Sequence, residues 1–191
     1  FFKQPCHAHN PESVEYRPGS ELEDVRGQTA ILEFDRVDFD VLNLIPPQQA
    51  GAIAHQAGLQ LANGRWVAVG WPGLESASHP GVHVLGDAIF PAPYMPKSGH
   101  MANQHGKLAA AGILTSLAGV PPELDAVASN TCYSYLTFDQ VVHICSMHRY
   151  NPATQTMEPV KEAGGLSATA NREEVQMAQA WATNIWADML G

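Results

Sequence analysis

Three places in the sequence hold residue types that could do chemistry. The first is Gly86-Asp87, which closes the apolar run Val82-His83-Val84-Leu85. A strand ending in that dipeptide would set a carboxylate at the carboxyl edge of a sheet, where open α/β folds bind their ligands. Gly86 would let backbone approach a ligand closely, and Asp87 could accept hydrogen bonds from sugar-type hydroxyls. The second is Pro96-Lys97-Ser98-Gly99, read as the opening of a long helix. The free N–H groups and positive dipole end of such a helix, with Lys97 beside them, favour a negative charge. The plain alternative is that Asp87 caps a turn and Lys97 is a solvated surface charge. The third is Cys132, which is either a small buried hydrophobe of a strand or a thiol available for exchange.

Nine histidines raise the question of a metal, through Cys6, His7 and His9 and through His100 and His105. Structural zinc takes a closed set of four ligands, commonly with Cys-x-x-Cys spacing, which is absent here. His100 and His105 also sit poorly for sharing one helical face. No metal ligand is assigned. Three cysteines, Cys6, Cys132 and Cys145, cannot build a disulfide framework, and an odd thiol is left over.

The elements that would position these groups can be read in outline. Residues 1–30 are punctuated by Pro5, Pro11, Pro18 and Gly19 and read as loops with at most one short strand. Thr29 to Phe34 is strand-like. Val37 to Ile45 passes from alternating to fully apolar, which predicts a strand entering a buried sheet and stopped by Pro46-Pro47. A short helix, Gln48 to Ala57, ends at Gly58. Trp66 to Val69 and Val82 to Leu85 read as brief strands. The long helix runs from about Gly99 to Leu117, closed by Gly119 and Pro121-Pro122. Asn130 to Phe138 and Val141 to Tyr150 read as a hairpin turning at Asp139-Gln140. Alternation along its first strand sends Thr131 and Tyr133 to the face opposite Cys132. A final helix is capped by Asn171 with Glu174 at the capping-box position, and Val175, Ala178, Trp181 or Ala182, Ile185 and Met189 mark one face. Trp186 lies well round the helix from Trp181 and is read as ordinary packing. The sum is an α/β layer joined to a small α+β unit.

Composition narrows the function classes. The 191 residues are 45% hydrophobic and 15% charged, enough for a folded core. Ten basic against nineteen acidic residues give a formal charge of −9, which argues against a nucleic-acid partner. No apolar run approaches the length of a membrane span. The chain opens at Phe1 without a recognisable signal segment, so it is expected to be processed or to be a piece of something longer.

Several runs together resemble one family. Val82 to Ala88, Met95-Pro96-Lys97-Ser98-Gly99, Ala102-Asn103 and Gly106-Lys107 look like the second FAD-contacting segment of the flavin-binding subunit of flavocytochrome c sulfide dehydrogenase. The more distant sulfide:quinone reductases have a similar segment. Asn43 to Gln48, Asn130-Thr131-Cys132-Tyr133-Ser134, and Gln179-Ala180-Trp181 with Asn184-Ile185 follow in the right order. The likeness runs from about Val37 to Gly191.

The resemblance implies a fold class of α/β, a partial FAD/NAD(P)-binding-type flavoprotein with a carboxy-terminal α+β interface domain. Residues 1–45 would be the remainder of a central NADH-binding-like domain, residues 46–125 the carboxy-terminal part of the FAD-binding domain, and residues 126–191 the carboxy-terminal family-type domain. It implies FAD contacts from Gly86, Asp87, Pro96, Lys97, Ser98 and Trp181, with Lys97 and the helix start facing the charge of a reduced flavin. It implies that Cys132 is the second cysteine of a redox-active disulfide beside the flavin, and that sulfide is oxidised there. Electrons would pass to a c-type cytochrome subunit carrying haem c, in the periplasm. No G-x-G-x-x-G turn for the FAD pyrophosphate occurs in this sequence, so the resemblance places that turn in an amino-terminal half outside it. Cys6 does not match the context of the first cysteine. His100 stands where the family often has an aromatic residue, which puts that part of the electron route in question. The competing readings are a related pyridine nucleotide-disulfide or quinone reductase, and a non-catalytic fragment acting as a protein-interaction module. The acidic final helix offers no basic apolar surface for the membrane contact a quinone reductase needs.

Overall fold

The structure, a computed structural model, describes residues 15, 17 and 19–191. Cys6, His7 and His9 lie outside the described residues. The chain divides into two compact units, one ending at Pro47 and one spanning Gln48–Gly191.

The first unit contains a three-stranded antiparallel meander of β1 (Leu22–Arg26), β2 (Thr29–Leu32) and β3 (Arg36–Asp38), in the order β1-β2-β3. Gly27 at φ 58° turns the first hairpin, a conformation open to glycine at little cost. The buried strand expected over 37–45 is not formed. Only its start pairs, as β3 against β2, and Val41 and Ile45 are 88% and 79% exposed. Edge strand β3 has a single neighbour, so among the described residues of this unit no further strand lies beside it for the apolar run to join.

The second unit begins with α1 (Ala52–Gln56), ended by Gly58 at φ 69° as its sequence predicts. Short antiparallel pairs follow: β4 (Leu61–Ala62) with β5 (Trp66–Val67), and β6 (Val69–Gly70) with β7 (Glu75–Ser76). The expected strand over Val82 to Leu85 is replaced by extended chain with one bridge, His83 to Glu75. Its backbone bonds go to the short strand β7 and the turn before it: Val84 N–H donates to Leu74 O and Ser76 N–H to Val82 O. The segment therefore leads into a 3-10 turn, Gly86–Ala88, and not off the end of a parallel sheet.

The long helix α2 (Gly99–Ala118) is bounded as the sequence predicts. Ser98 caps it by accepting the Met101 N–H at 3.0 Å, and Gly119 closes it at φ 64°. Its buried stripe is Met101, His105 and Ala109. Gly112 meets the loop before β7 so closely that a Cβ there would stand 2.6 Å from Gly73 Cα. Both sides of that contact are backbone and cannot rotate away. Gly112→Ala should therefore lower stability by about 1–3 kcal/mol despite the better helix propensity of alanine. A shift of the denaturant midpoint at constant slope is the measurement.

A four-stranded antiparallel sheet completes the unit. β8 (Val127–Thr137) and β9 (Gln140–Asn151) form the long hairpin, and β10 (Thr156–Pro159) and β11 (Gly165–Leu166) both pair with β9. The turn falls one residue earlier than expected, with Thr137 opposite Gln140 and a bulge after Tyr135. One sheet face, through Ala128 and Tyr150, joins Ala92, Met95, Met101, Ala126 and Met157 in the main core cluster. The final helix α3 (Glu173–Leu190) covers the other face. Asn171 Oδ1 accepts the Glu174 N–H at 2.9 Å, the first half of a capping box. The second half does not form, because the Glu174 carboxylate turns inward to Ser167 Oγ at 2.8 Å and His143 Nδ1 at 2.7 Å. Val175, Ala178, Trp181, Ala182 and Ile185 face inward, but Met189 and Trp186 do not; at 65% exposure Trp186 is not the packing residue expected. Helices and strands mix throughout, and the α/β class expected from the sequence holds. Among the described residues no helix is long and apolar enough to cross a membrane.

Candidate functional site

All seven residues expected at a site lie in the second unit, and they gather around the start of α2. The turn Gly86–Ala88 rests against this helix. Gly86 has φ 68°, and a Cβ on it would come within 3.3 Å of Ala102 Cβ. The close approach that its glycine permits is thus to the helix, while the Asp87 side chain is left exposed.

Lys97 is exposed at the surface, yet its ammonium is engaged. Its Nζ donates to the carbonyl oxygens of Asp87 and Ile89, each at 2.7 Å, and lies 3.8 Å from the Trp66 ring centroid. Burial pushes its pKa down, with Asp87 opposing that shift. Lys97, Asp87, Ala88, Trp66, Gln49 and Gly51 line a cleft of about 360 Å³. Pro96 and Gly86 line the tight packing beneath it with Met95 and Met101.

Ser98 joins the helix start to the hairpin. Besides capping α2, its Oγ donates to Asn130 Oδ1, and Asn130 Nδ2 lies 3.4 Å from Cys132 Sγ. Asn130 is 3% exposed. Removing the hydroxyl costs the cap and leaves a buried carbonyl short of a donor. Ser98→Ala should therefore cost about 2 kcal/mol, and Ser98→Thr less than half of that, as read by chemical denaturation. Cys132 and Cys145 are free thiols and both half-buried. In the hairpin register Cys145 faces Thr131, so alternation puts the two sulfurs on opposite sheet faces.

Trp181 stands on the face away from Cys132. Its ring meets His100 edge-on at 5.4 Å and Tyr133 at 5.8 Å, and Tyr133 in turn meets His143 at 5.9 Å. His100 Nδ1 accepts the Thr131 N–H at 3.0 Å, which places the ring between α2 and β8. Burial, first among its causes, lowers the His100 pKa. The histidine at the family's aromatic position thus keeps ring contact with Trp181. Sequence reasoning missed Trp66 under Lys97, Asn130 between Ser98 and Cys132, and Tyr133 against Trp181. Asn130 and Tyr133 stand within the same run as Cys132, which was the signal that could have found them; Trp66, thirty-one residues before Lys97, gave no signal.

Among the described residues there is no group of three His, Cys, Asp or Glu side chains able to hold a metal ion. His100 and His105 point to different neighbours, Trp181 and Trp71 respectively. The donor set fits part of a flavin nucleotide: an exposed carboxylate for hydroxyls, a helix start for negative charge, and a cleft floored by an aromatic ring.

The class of protein toward which the family match points is a flavin-binding domain of an oxidoreductase. Residues 124–190 match the family model described as flavocytochrome c sulphide dehydrogenase, flavin-binding. The matched region comprises the hairpin with Cys132 and the helix with Trp181, and the resemblance read from the sequence holds over it.

Proposed function

We propose that this chain is the carboxy-terminal part of an FAD-dependent enzyme that oxidises sulfide and passes electrons to a c-type cytochrome subunit in the periplasm. The observation that carries this reading is the line Ser98–Asn130–Cys132, which brings a sulfur to the helix start flanked by Lys97 and Asp87. The family match of residues 124–190 supports the same reading. In it, residues 46–125 and Trp181 contribute the flavin contacts, and residues 126–191 form the sulfur-carrying and partner-facing domain.

The chain's own residues divide the work. Asp87 would accept hydrogen bonds from the flavin's sugar-type hydroxyls, and the start of α2 would face its negative charge. Bound there, the flavin supplies a two-electron acceptor. Cys132 Sγ begins in a disulfide with the first cysteine of the pair, which the resemblance places in an amino-terminal half and not at Cys6. Hydrosulfide bonds to Cys132 Sγ, the S–S bond breaks, the second cysteine leaves as a thiolate, and the hydrosulfide proton passes to solvent. Loss of two electrons from that persulfide and thiolate pair releases the sulfur and re-forms the disulfide. Trp181 and His100, on the far side of β8, lie toward the cytochrome.

The test is an anaerobic sulfide titration of the full flavoprotein with its cytochrome partner. Bleaching of the flavin band followed by haem reduction is expected. A colourless full protein, or a flavin that sulfide leaves oxidised, rejects the reading and leaves the interaction module.

A further inference from the structure

His105 is 3% exposed on the second turn of α2 and touches three segments at once. Its Nδ1 accepts the Gly86 N–H at 3.2 Å, so in the neutral ring the proton sits on Nε2. Nε2 lies 3.4 Å from Met95 Sδ, and the ring meets Trp71 edge-on at 5.6 Å. One imidazole therefore links the turn that carries Asp87, the loop that leads into Lys97, and the helix whose start faces both. Lys97 Nζ also holds this turn through the Asp87 and Ile89 carbonyls, but the Gly86 N–H at its start is taken by His105. Gly86 adopts a left-handed φ of 68° and is pressed against Ala102, and a buried backbone N–H needs an acceptor.

We propose that His105 is the positioning residue of the flavin site: by accepting the Gly86 N–H and seating Met95, its neutral ring sets where Asp87 and Lys97 stand relative to the start of α2. This rests on the flavin reading above. A protonated ring would turn a donor toward the Gly86 N–H and open the contact. The charged groups facing the ring are Asp87 from the turn and Lys97 from the loop; Trp71 adds no charge. Burial first, then Lys97, lowers the His105 pKa from 6.5 to about 4, with Asp87 opposing. The neutral contact is complete above pH 6.5. Below that the unfolded chain takes up the proton first, so the folded arrangement loses stability until the contact itself opens near pH 4.

The experiment uses the full flavoprotein as wild type, His105→Gln and His105→Phe. It measures residue-resolved amide exchange at Gly86, with Ala109 in mid-helix as reference, together with flavin content. A glutamine carboxamide can accept the same N–H without titrating. At neutral pH, Gly86 should be protected about tenfold more in wild type and His105→Gln than in His105→Phe, the scale of one hydrogen bond. Lowering the pH through about 4 should strip that protection from the wild type alone while Ala109 stays protected. Flavin retention should follow Gly86 protection across the three proteins. Equal Gly86 protection in His105→Phe and wild type, or loss at the same pH in wild type and His105→Gln, overturns the inference. A wild type with the expected Gly86 pattern but no flavin at any pH sinks the flavin reading and leaves the His105 contact standing.

Discussion

Replacing Cys132 with serine in the full flavoprotein should leave flavin bound while sulfide-dependent flavin reduction falls by on the order of 10⁴-fold, the scale of removing a reacting group. The reasoning is local. Cys132 shares its sheet face with Asn130, and the partners of Asn130 are Cys132 Sγ and the Ser98 hydroxyl. Serine is smaller by little and keeps a weak donor toward Asn130, so the strand and the cap of α2 should survive. What it cannot do is accept a second sulfur. Cys145, across the hairpin and on the other face, is no substitute. Stopped-flow bleaching of the flavin band by sulfide is the measurement. Normal bleaching by the serine variant would remove Cys132 from the chemistry.

Trp181→Ala should act on the other half of the cycle. On the proposed reading sulfur enters on the Cys132 face of β8, whereas Trp181, His100 and Tyr133 are stacked on the opposite face. Removing the indole breaks two ring contacts and leaves the Ser98–Asn130–Cys132 line untouched. Flavin-to-haem electron transfer should slow by about tenfold, roughly 1.4 kcal/mol of barrier, with flavin reduction changed by less than about twofold. Equal slowing of both steps would make Trp181 a packing residue only. His100→Tyr, which sets a larger aromatic ring against Trp181, provides a control for the same contact.

Where the sequence was legible, the signals were local. Ser98 before Gly99 and Gly119 before Pro121 bound α2 because capping and left-handed closure are decided within a few residues. Alternation through β8 is enough by itself to put Cys132 and Tyr133 on opposite faces, and the hairpin register agrees. The failures share a different cause. Val82 to Leu85 has a strand's composition, but its hydrogen bonds go to Leu74 and to Ser76 of the two-residue strand β7, a pairing that no periodicity encodes. Val41 to Ile45 has a core's composition and stays exposed in a unit whose sheet stops at three strands. Lys97 over Trp66, and Glu174 turned from its cap toward His143, depend on partners more than thirty residues distant. Of the candidate site, the residue types could be read from sequence; the contacts joining them could not.

The central claim is that sulfur enters the protein on Cys132. Mass spectrometry of the full flavoprotein, mixed anaerobically with sulfide and quenched by alkylation before turnover is complete, tests it most directly. The account predicts one added sulfur on the peptide carrying Cys132 and none on the peptide carrying Cys145. A reduced flavin with no added sulfur on Cys132, or with the sulfur on Cys145, would contradict it.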